Sequence, residues 1–304
     1  MPVELPKPSC KVLSNTLRAG LWQPSCHTSL PNAPQVIRFF LSLHANDFSG
    51  IIPSEICLLT RLEVLFLHSN YLNDTIPPSL CKLNNSVRLF LLIIHFLVIY
   101  PHNICRGRAL EFFGVNESHL RGTIPKSLRN CTSLVRVCLD GDNLSGNISE
   151  ALDIYPNLNF VDLSCNNFYG EISSIWSKCP KLGTLNVSMN DSTGDIPCEI
   201  GKSSHLHAFD LLFNHLFVEI PNDLGKLNSL TKLILKWNQF TGRLPPEISS
   251  FIKLEDIGLS INRFISSIPE SLGKLLKLHY LDLSKNQFFQ ELPKELEKVV
   301  QLSE

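Results

Sequence analysis

Residues 254–293 read LEDIGLSINRFISSIPESLGKLLKLHYLDLSKNQFFQELP. The stretch carries one pattern twice. Ile257, Leu259, Asn262, Phe264 and Ile268-Pro269 return 24 residues later as Leu281, Leu283, Asn286, Phe288 and Leu292-Pro293. Working outward, the proline of the pattern recurs as Pro53, Pro77, Pro101, Pro125, Pro197, Pro221, Pro245, Pro269 and Pro293. The two missing beats are Ser149 and Ser173, and each still follows an isoleucine, Ile148 and Ile172. No insertion or deletion breaks the 24-residue phase across eleven repeats. Such a period identifies a stacked solenoid before any single element is considered.

The unit reads L-x-L-x-x-N-x-L-x-G-x-I-P. Leucines two apart, such as Leu41 and Leu43 or Leu281 and Leu283, argue for a short strand with one buried face. The asparagine that follows (Asn46, Asn70, Asn166, Asn190, Asn214, Asn238, Asn262, Asn286) stands where the chain turns inward. Its amide can bond backbone groups that burial would otherwise orphan, so stacked repeats predict an asparagine ladder. Glycine, as at Gly170 and Gly194, permits the tight turn. Proline fixes its own φ and keeps its predecessor extended, which predicts short extended or 3-10 pieces on the convex side. The fold expectation is a right-handed parallel β-solenoid, with strands near 41–43, 65–67, 89–91 and so on every 24 residues. Eleven rungs at about 4.8 Å each would span on the order of 50 Å. Ile94, Ser118 and Asp142 replace the ladder asparagine in three successive repeats, which predicts the weakest backbone protection between about 90 and 145.

The unit resembles the plant-specific leucine-rich repeat, with its L-x-G-x-I-P signature, over roughly residues 40 to 304. A narrower resemblance covers about 101 to 197. It is carried by PHNICRG at 101–107, Ile124-Pro-Lys-Ser-Leu128, Asn130-Cys131, Gly146-Asn-Ile-Ser149, Tyr155-Pro156 and Gly170-Glu-Ile-Ser173. There the chain is similar to the ectodomain of the male-discoverer-interacting type of leucine-rich-repeat receptor-like kinase. That resemblance implies a plasma-membrane parent receptor with a Ser/Thr kinase domain, a peptide ligand and a co-receptor leucine-rich-repeat kinase. It also implies roles in defence or developmental signalling.

Composition sets bounds. The chain has 304 residues, 44% apolar, with a formal net charge of -1, so it carries ample core material and no basic footprint for nucleic acid. The unbroken period argues for one elongated domain, 38–304, preceded by a degraded N-terminal cap or non-native leader over 1–37. The ten cysteines include Cys131 and Cys179 in a slot that Leu59 and Leu83 fill in other repeats, and these read as small buried hydrophobes. A Cys81–Cys105 bridge between neighbouring turns is compatible with the registers but not required; Cys10 and Cys26 fit a decayed cap. The apolar run 89–101 is shorter than the ~20 residues of a membrane helix, contains His95 and keeps the repeat phase, so it reads as a repeat. The start, Met1-Pro-Val-Glu-Leu-Pro, is no signal peptide. No glycine-rich phosphate loop, catalytic loop or metal spacing is present, so the expectation is a non-catalytic chain without cofactor or metal, a fragment of a larger receptor. Its final repeat has no polar cap, which predicts an open edge at Leu281, Leu283, Phe288 and Leu292 and association through it.

Candidate binding residues come from strand positions that point away from the core. His44 and His68 share one register in adjacent repeats, with Phe66, Phe90 and Leu92 beside them. This stripe is either a contact site or a region covered by 1–37. Arg136 and Asp140, with Asp162 nearby, are either a solvated ion cluster or a hydrogen-bonding anchor for a peptide. Asn186 and Asp210 follow Asp162 in register and complete the candidate ligand-binding set. The N-x-S/T acceptors Asn73, Asn84, Asn116, Asn130, Asn143, Asn147 and Asn186 are expected to carry glycans. Asn190 is also an acceptor by sequence but belongs to the ladder, so it is expected to be buried and unmodified. Three functions compete: an extracellular peptide-binding region of a receptor-like kinase; a kinase-less receptor-like or polygalacturonase-inhibitor-like defence protein; and a truncated product without function.

Overall fold

The computed structural model describes residues 39–59, 61–67, 70–72, 77, 88–90, 110–115 and 120–300, all in the second of two units, Arg38–Glu304. Among the described residues, eleven strands form one parallel sheet in chain order, beginning with Phe39–Ser42 and Leu62–Phe66 and ending with Asp256–Gly258 and Tyr280–Asp282. The register advances by one repeat per strand: Val161 pairs Leu185, Leu185 pairs Phe209, and Leu233 pairs Ile257. The parallel solenoid expected from the period is therefore present. From the third strand on, each begins one residue earlier than the leucine pairs suggest, as in Phe160–Asp162 against an expected 161–163; the first two begin two and three residues earlier. The chain turns immediately after the second inward leucine.

The inward positions of the strands make the core. Val161, Leu185 and Phe209 are fully enclosed, and each such side chain contributes roughly 1.5–3 kcal/mol. Two positions after the ladder residue, Phe240, Phe264 and Phe288 stack with centroids 6.2 Å apart in both steps. At the C-terminal end Leu281, Leu283 and Phe288 are only partly buried, and Leu292 is 74% exposed.

The asparagine ladder forms as the chemistry demands. Asn190 Oδ1 accepts from Phe168 N at 2.9 Å, while its Nδ2 donates to Leu163 O and Val187 O at 3.0 and 3.1 Å. Asn166, Asn214, Asn238 and Asn262 repeat the arrangement one rung apart. Ile94 and Ser118 lie outside the described residues. Asp142 keeps the accepting half, taking Leu120 N at 3.2 Å. An ionised carboxylate has no N–H to donate to the carbonyls.

The convex side holds 3-10 turns of five residues, such as Cys198–Lys202 and Asn222–Lys226. Their prolines sit before the first turn residue with ψ between 131 and 136°, supplying the extended entry expected from proline. Where proline is missing, a side chain caps instead. Ser173 Oγ accepts from Ile175 N, and Asn147 Oδ1 accepts from Ser149 N ahead of the short helix Ile148–Ala151.

Two features depart from the sequence expectation. The L-x-G segment, read there as a turn, extends first and builds a second parallel sheet, which runs from Arg121–Gly122 through Asn167–Glu171 to Gln239–Phe240. Gly170 lies one residue before the end of such a strand at φ +88°, and a Cβ there would lie 2.5 Å from Asn147 Oδ1. The second departure concerns cysteine. Cys131 fills the apolar slot as expected but is disulfide-bonded, as is Cys138. Repeat phase shows which slot a thiol occupies, not which sulfur it reaches. Cys179, buried and not in a disulfide, fits the small-hydrophobe reading. Cys10, Cys26, Cys81 and Cys105 lie outside the described residues, as does most of the apolar run 89–101. Among the described residues no helix is long and apolar enough to cross a membrane.

Candidate functional site

Alternation along each strand places Phe160, Asp162, Thr184, Asn186, Ala208, Asp210, Lys232 and Tyr280 on the face away from the core. The last strand residue is repeatedly Asp or Asn for a local reason. One side-chain oxygen accepts the N–H two residues on, closing the turn that leaves the strand. Asp162 does this with Ser164, Asn186 with Ser188, Asp210 with Leu212 and Asp282 with Ser284, at 3.0 to 3.1 Å. The second oxygen or the amide is then available to neighbouring rungs.

Those second groups join into a strip. Asn186 Nδ2 donates to Asp162 Oδ2 at 3.0 Å, and Lys232 Nζ stands 3.9 Å from Asp210 Oδ2. Burial pushes the carboxyls of Asp162 and Asp210 up. Ser164 and Asn186 oppose this at Asp162, and the Lys232 charge opposes it at Asp210. Three carboxyls, those of Asp162, Asp210 and Asp256, thus share the charge of one lysine. Further along, Lys236 Nζ is 2.8 Å from Asp282 Oδ2, bonds the Tyr280 hydroxyl and lies over the Tyr280 ring at 4.5 Å. Burial alone would raise Asp282; hydrogen bonds from Lys236, Ser284 and Ser260 outweigh it and hold the carboxyl below the usual range.

The candidates drawn from sequence divide accordingly. Asp162, Asn186 and Asp210 come together. Arg136 does not join them: its guanidinium stacks 4.1 Å over the Phe160 ring, with Nε and Nη2 buried and without a hydrogen-bond partner. Burial lowers its pKa. The ion cluster of Arg136 with Asp162 is therefore replaced by a cation–π contact, because Phe160 stands between them in register. Asp140 is half-buried. At the N-terminal end His44 is exposed, meets Phe66 edge-on at 6.3 Å and hydrogen-bonds with Ser42. His68 lies outside the described residues, so the histidine pair is not placed; Leu92 lies outside them as well. Lys232, Lys236, Tyr280 and Asp282 were visible as outward registers but carried no sequence signal that they pair.

Among the glycan acceptors, Asn130 and Asn143 are exposed and Asn147 is half-buried as a helix cap. Asn186 is a correction: it is 6% exposed and its Nδ2 is held by Asp162, which leaves no room for a sugar. Asn190 is fully buried. Asn73, Asn84 and Asn116 lie outside the described residues.

Stacked parallel strands, an asparagine ladder and Pro-led 3-10 turns define a leucine-rich-repeat solenoid. The leucine-rich-repeat family pattern matches residues 61–83, 229–251 and 277–299. Among solved structures, the chain is similar to a TDR receptor (26% identity, TM-score 0.81), covering 87% of this chain and 46% of that one. It is similar to PEPR1 in the PEPR1–AtPEP1 structure (29%, TM-score 0.77; 84% and 36% covered). It is also similar to the Arabidopsis receptor kinase HAESA in complex with the peptide hormone IDA and the co-receptor SERK1 (33%, TM-score 0.78; 86% and 44% covered). The chain spans less than half the length of each. No curated protein sequence matches it.

Proposed function

We propose that this chain is part of the extracellular ligand-recognition region of a plant leucine-rich-repeat receptor-like kinase, of the male-discoverer-interacting kind. It binds without catalysis. An extended peptide lies across the strand face, a co-receptor docks at the C-terminal edge, and the parent protein sits in the plasma membrane in defence or developmental signalling. The observation that carries this reading is the polar strip from Asp162 to Asp282, a row of desolvated, paired side chains on the face that leucine-rich-repeat proteins use for partners. The likeness to HAESA, solved with a peptide hormone, supports it. Disulfide-bonded Cys131 and Cys138 fit an oxidising compartment.

Binding of a synthetic peptide library to the immobilised 304-residue chain tests the proposal. Alanine at His68 or Asp162 should weaken capture, whereas Lys226→Ala on the convex side should not. If capture survives alanine at His44, Phe66, His68, Asp140 and Asp162, the face is not the site.

A further inference from the structure

The residue just before each ladder asparagine has a left-handed backbone: φ is 56° at Cys165, 55° at Met189, Phe213 and Trp237, and 57° at Ile261. The turn requires that conformation in every rung. Glycine or asparagine would adopt it at little cost, whereas bulky side chains are strained there and β-branched isoleucine most of all. Of five consecutive rungs, four nevertheless carry large apolar residues and the first a cysteine. The core does not use them, since all five are half-exposed. They form a ridge instead: Cys165 Sγ lies 3.5 Å from Met189 Sδ, and the Phe213 and Trp237 rings are 5.5 Å apart. Backbone bonds to the next rung, such as Met189 N to Leu212 O and Phe213 N to Lys236 O, hold the spacing.

The surroundings say what such a ridge could hold. One residue back stand Ser164 and Ser188, then Leu212 and Lys236, then Ser260; the three serines are small and nearly buried, and Lys236 is turned to Asp282. Beyond them runs the strip in which Asp162 and Asp210 share Lys232. The result is a track with an apolar edge and a charged edge, on which the carboxyls of Asp162, Asp210, Asp256 and Asp282 outnumber the ammonium groups of Lys232 and Lys236. Four rung steps of about 4.8 Å make it roughly 19 Å long, the reach of about six extended residues. Its apolar area, a few hundred Å² at most by patch size, falls short of the ~800 Å² per partner of a stable dimer. An extended peptide fits, because its side chains alternate between two edges.

We propose that the ridge Cys165–Met189–Phe213–Trp237–Ile261 is the apolar wall of a peptide track, selecting peptides with apolar side chains along one edge and a basic side chain on the other. The proposal rests on the peptide-binding reading above and names its ligand chemistry. The test is a positional-scanning set of acetylated hexapeptides, read by fluorescence polarisation on the full 304-residue chain. The proteins are wild type, Phe213→Asn with Trp237→Asn, and Asp162→Asn. Asparagine suits the left-handed backbone, so the double variant should fold, which its melting curve checks. Wild type should prefer apolar residues at alternate positions. The double variant should lose that preference, binding the selected peptides at least ten-fold more weakly, yet keep the preference for lysine or arginine; Asp162→Asn should do the reverse. Peptide binding with the same apolar preference in wild type and double variant would overturn the ridge and leave the broader reading standing. No binding by the wild type to any hexapeptide would overturn both.

Discussion

Replacing Asn190 by aspartate probes what the ladder contributes, because shape is conserved while the amide donors give way to an ionisable oxygen. Asn190 is fully buried. Its oxygen takes Phe168 N, a bond a carboxylate also accepts. Its Nδ2 supplies Leu163 O at 3.0 Å and Val187 O at 3.1 Å, and an ionised carboxylate supplies neither. Leu163 O keeps a donor in Asn166 Nδ2 at 3.1 Å and Val187 O keeps one in Asn214 Nδ2 at 3.0 Å, so what is left unpaired is the carboxylate oxygen set against those two carbonyls, at a cost of about 1–3 kcal/mol. At about 2–4 °C per kcal/mol, the slope for domains of roughly 150–250 residues, Asn190→Asp should melt on the order of 5 °C below wild type. Thermal denaturation followed by circular dichroism measures this. The deficit should narrow in acid, where a protonated carboxyl regains one donor. Asp142→Asn is the mirror experiment and should raise the melting temperature by several degrees. An Asn190→Asp protein that melts with wild type at neutral pH would refute the reasoning, and so would an Asp142→Asn protein that melts lower.

Three further outcomes are expected. Produced through a plant secretory route, the chain should carry sugar at Asn130 and Asn143 but none at Asn186 or Asn190, as read by mass spectrometry of its peptides. Ile261→Asn exchanges a strained β-branched residue for one that tolerates φ 57°, so its melting temperature should match or exceed wild type. The third outcome concerns pH. Burial raises Asp162 and Asp210, so the fold favours their protonated forms. Their contribution is most favourable below the unfolded carboxylate value of about 3.9 and is lost as pH rises through the raised folded values. Asp162→Asn should therefore gain stability relative to wild type between pH 4 and pH 7, and melts at both values decide it. Asp282 acts in the opposite sense: its lowered carboxyl stabilises at neutral pH, and that contribution is lost as the solution is acidified below the ordinary carboxylate range.

The fold was legible because its physics is local and periodic. Leu281 and Leu283, two apart, could only be a strand with one face inside, and Asn286 could only serve the buried backbone beside it. The second sheet escaped notice because Gly170 marks where the chain turns without revealing that Asn167–Glu171 extends first. The binding face was half legible. Register alone placed Asp162, Asn186 and Asp210 together, since parallel stacking converts 24 residues into one rung. Register could not show that Arg136 would lie on Phe160, or that Lys236 would reach two rungs to Tyr280 and Asp282. Those outcomes depend on side-chain length and on competition among partners. The apolar ridge was overlooked for another reason: the position before the ladder asparagine reads as turn, and only its backbone angle makes a tryptophan there unusual.

The ladder also has a polarity. Each asparagine reaches back, taking an N–H and giving one to the rung before it: Asn166 to Leu144 and Leu139, Asn262 to Phe240 and Leu235. Among the described residues no ladder amide is seen to reach forward. Trimming rungs from the C-terminal side therefore leaves every remaining asparagine amide with its neighbour. Trimming from the N-terminal side strips the first surviving asparagine of its template. A chain that emerges amino end first finds each new rung's partners already in place, so the array can be laid down in the direction of synthesis, one turn upon the last.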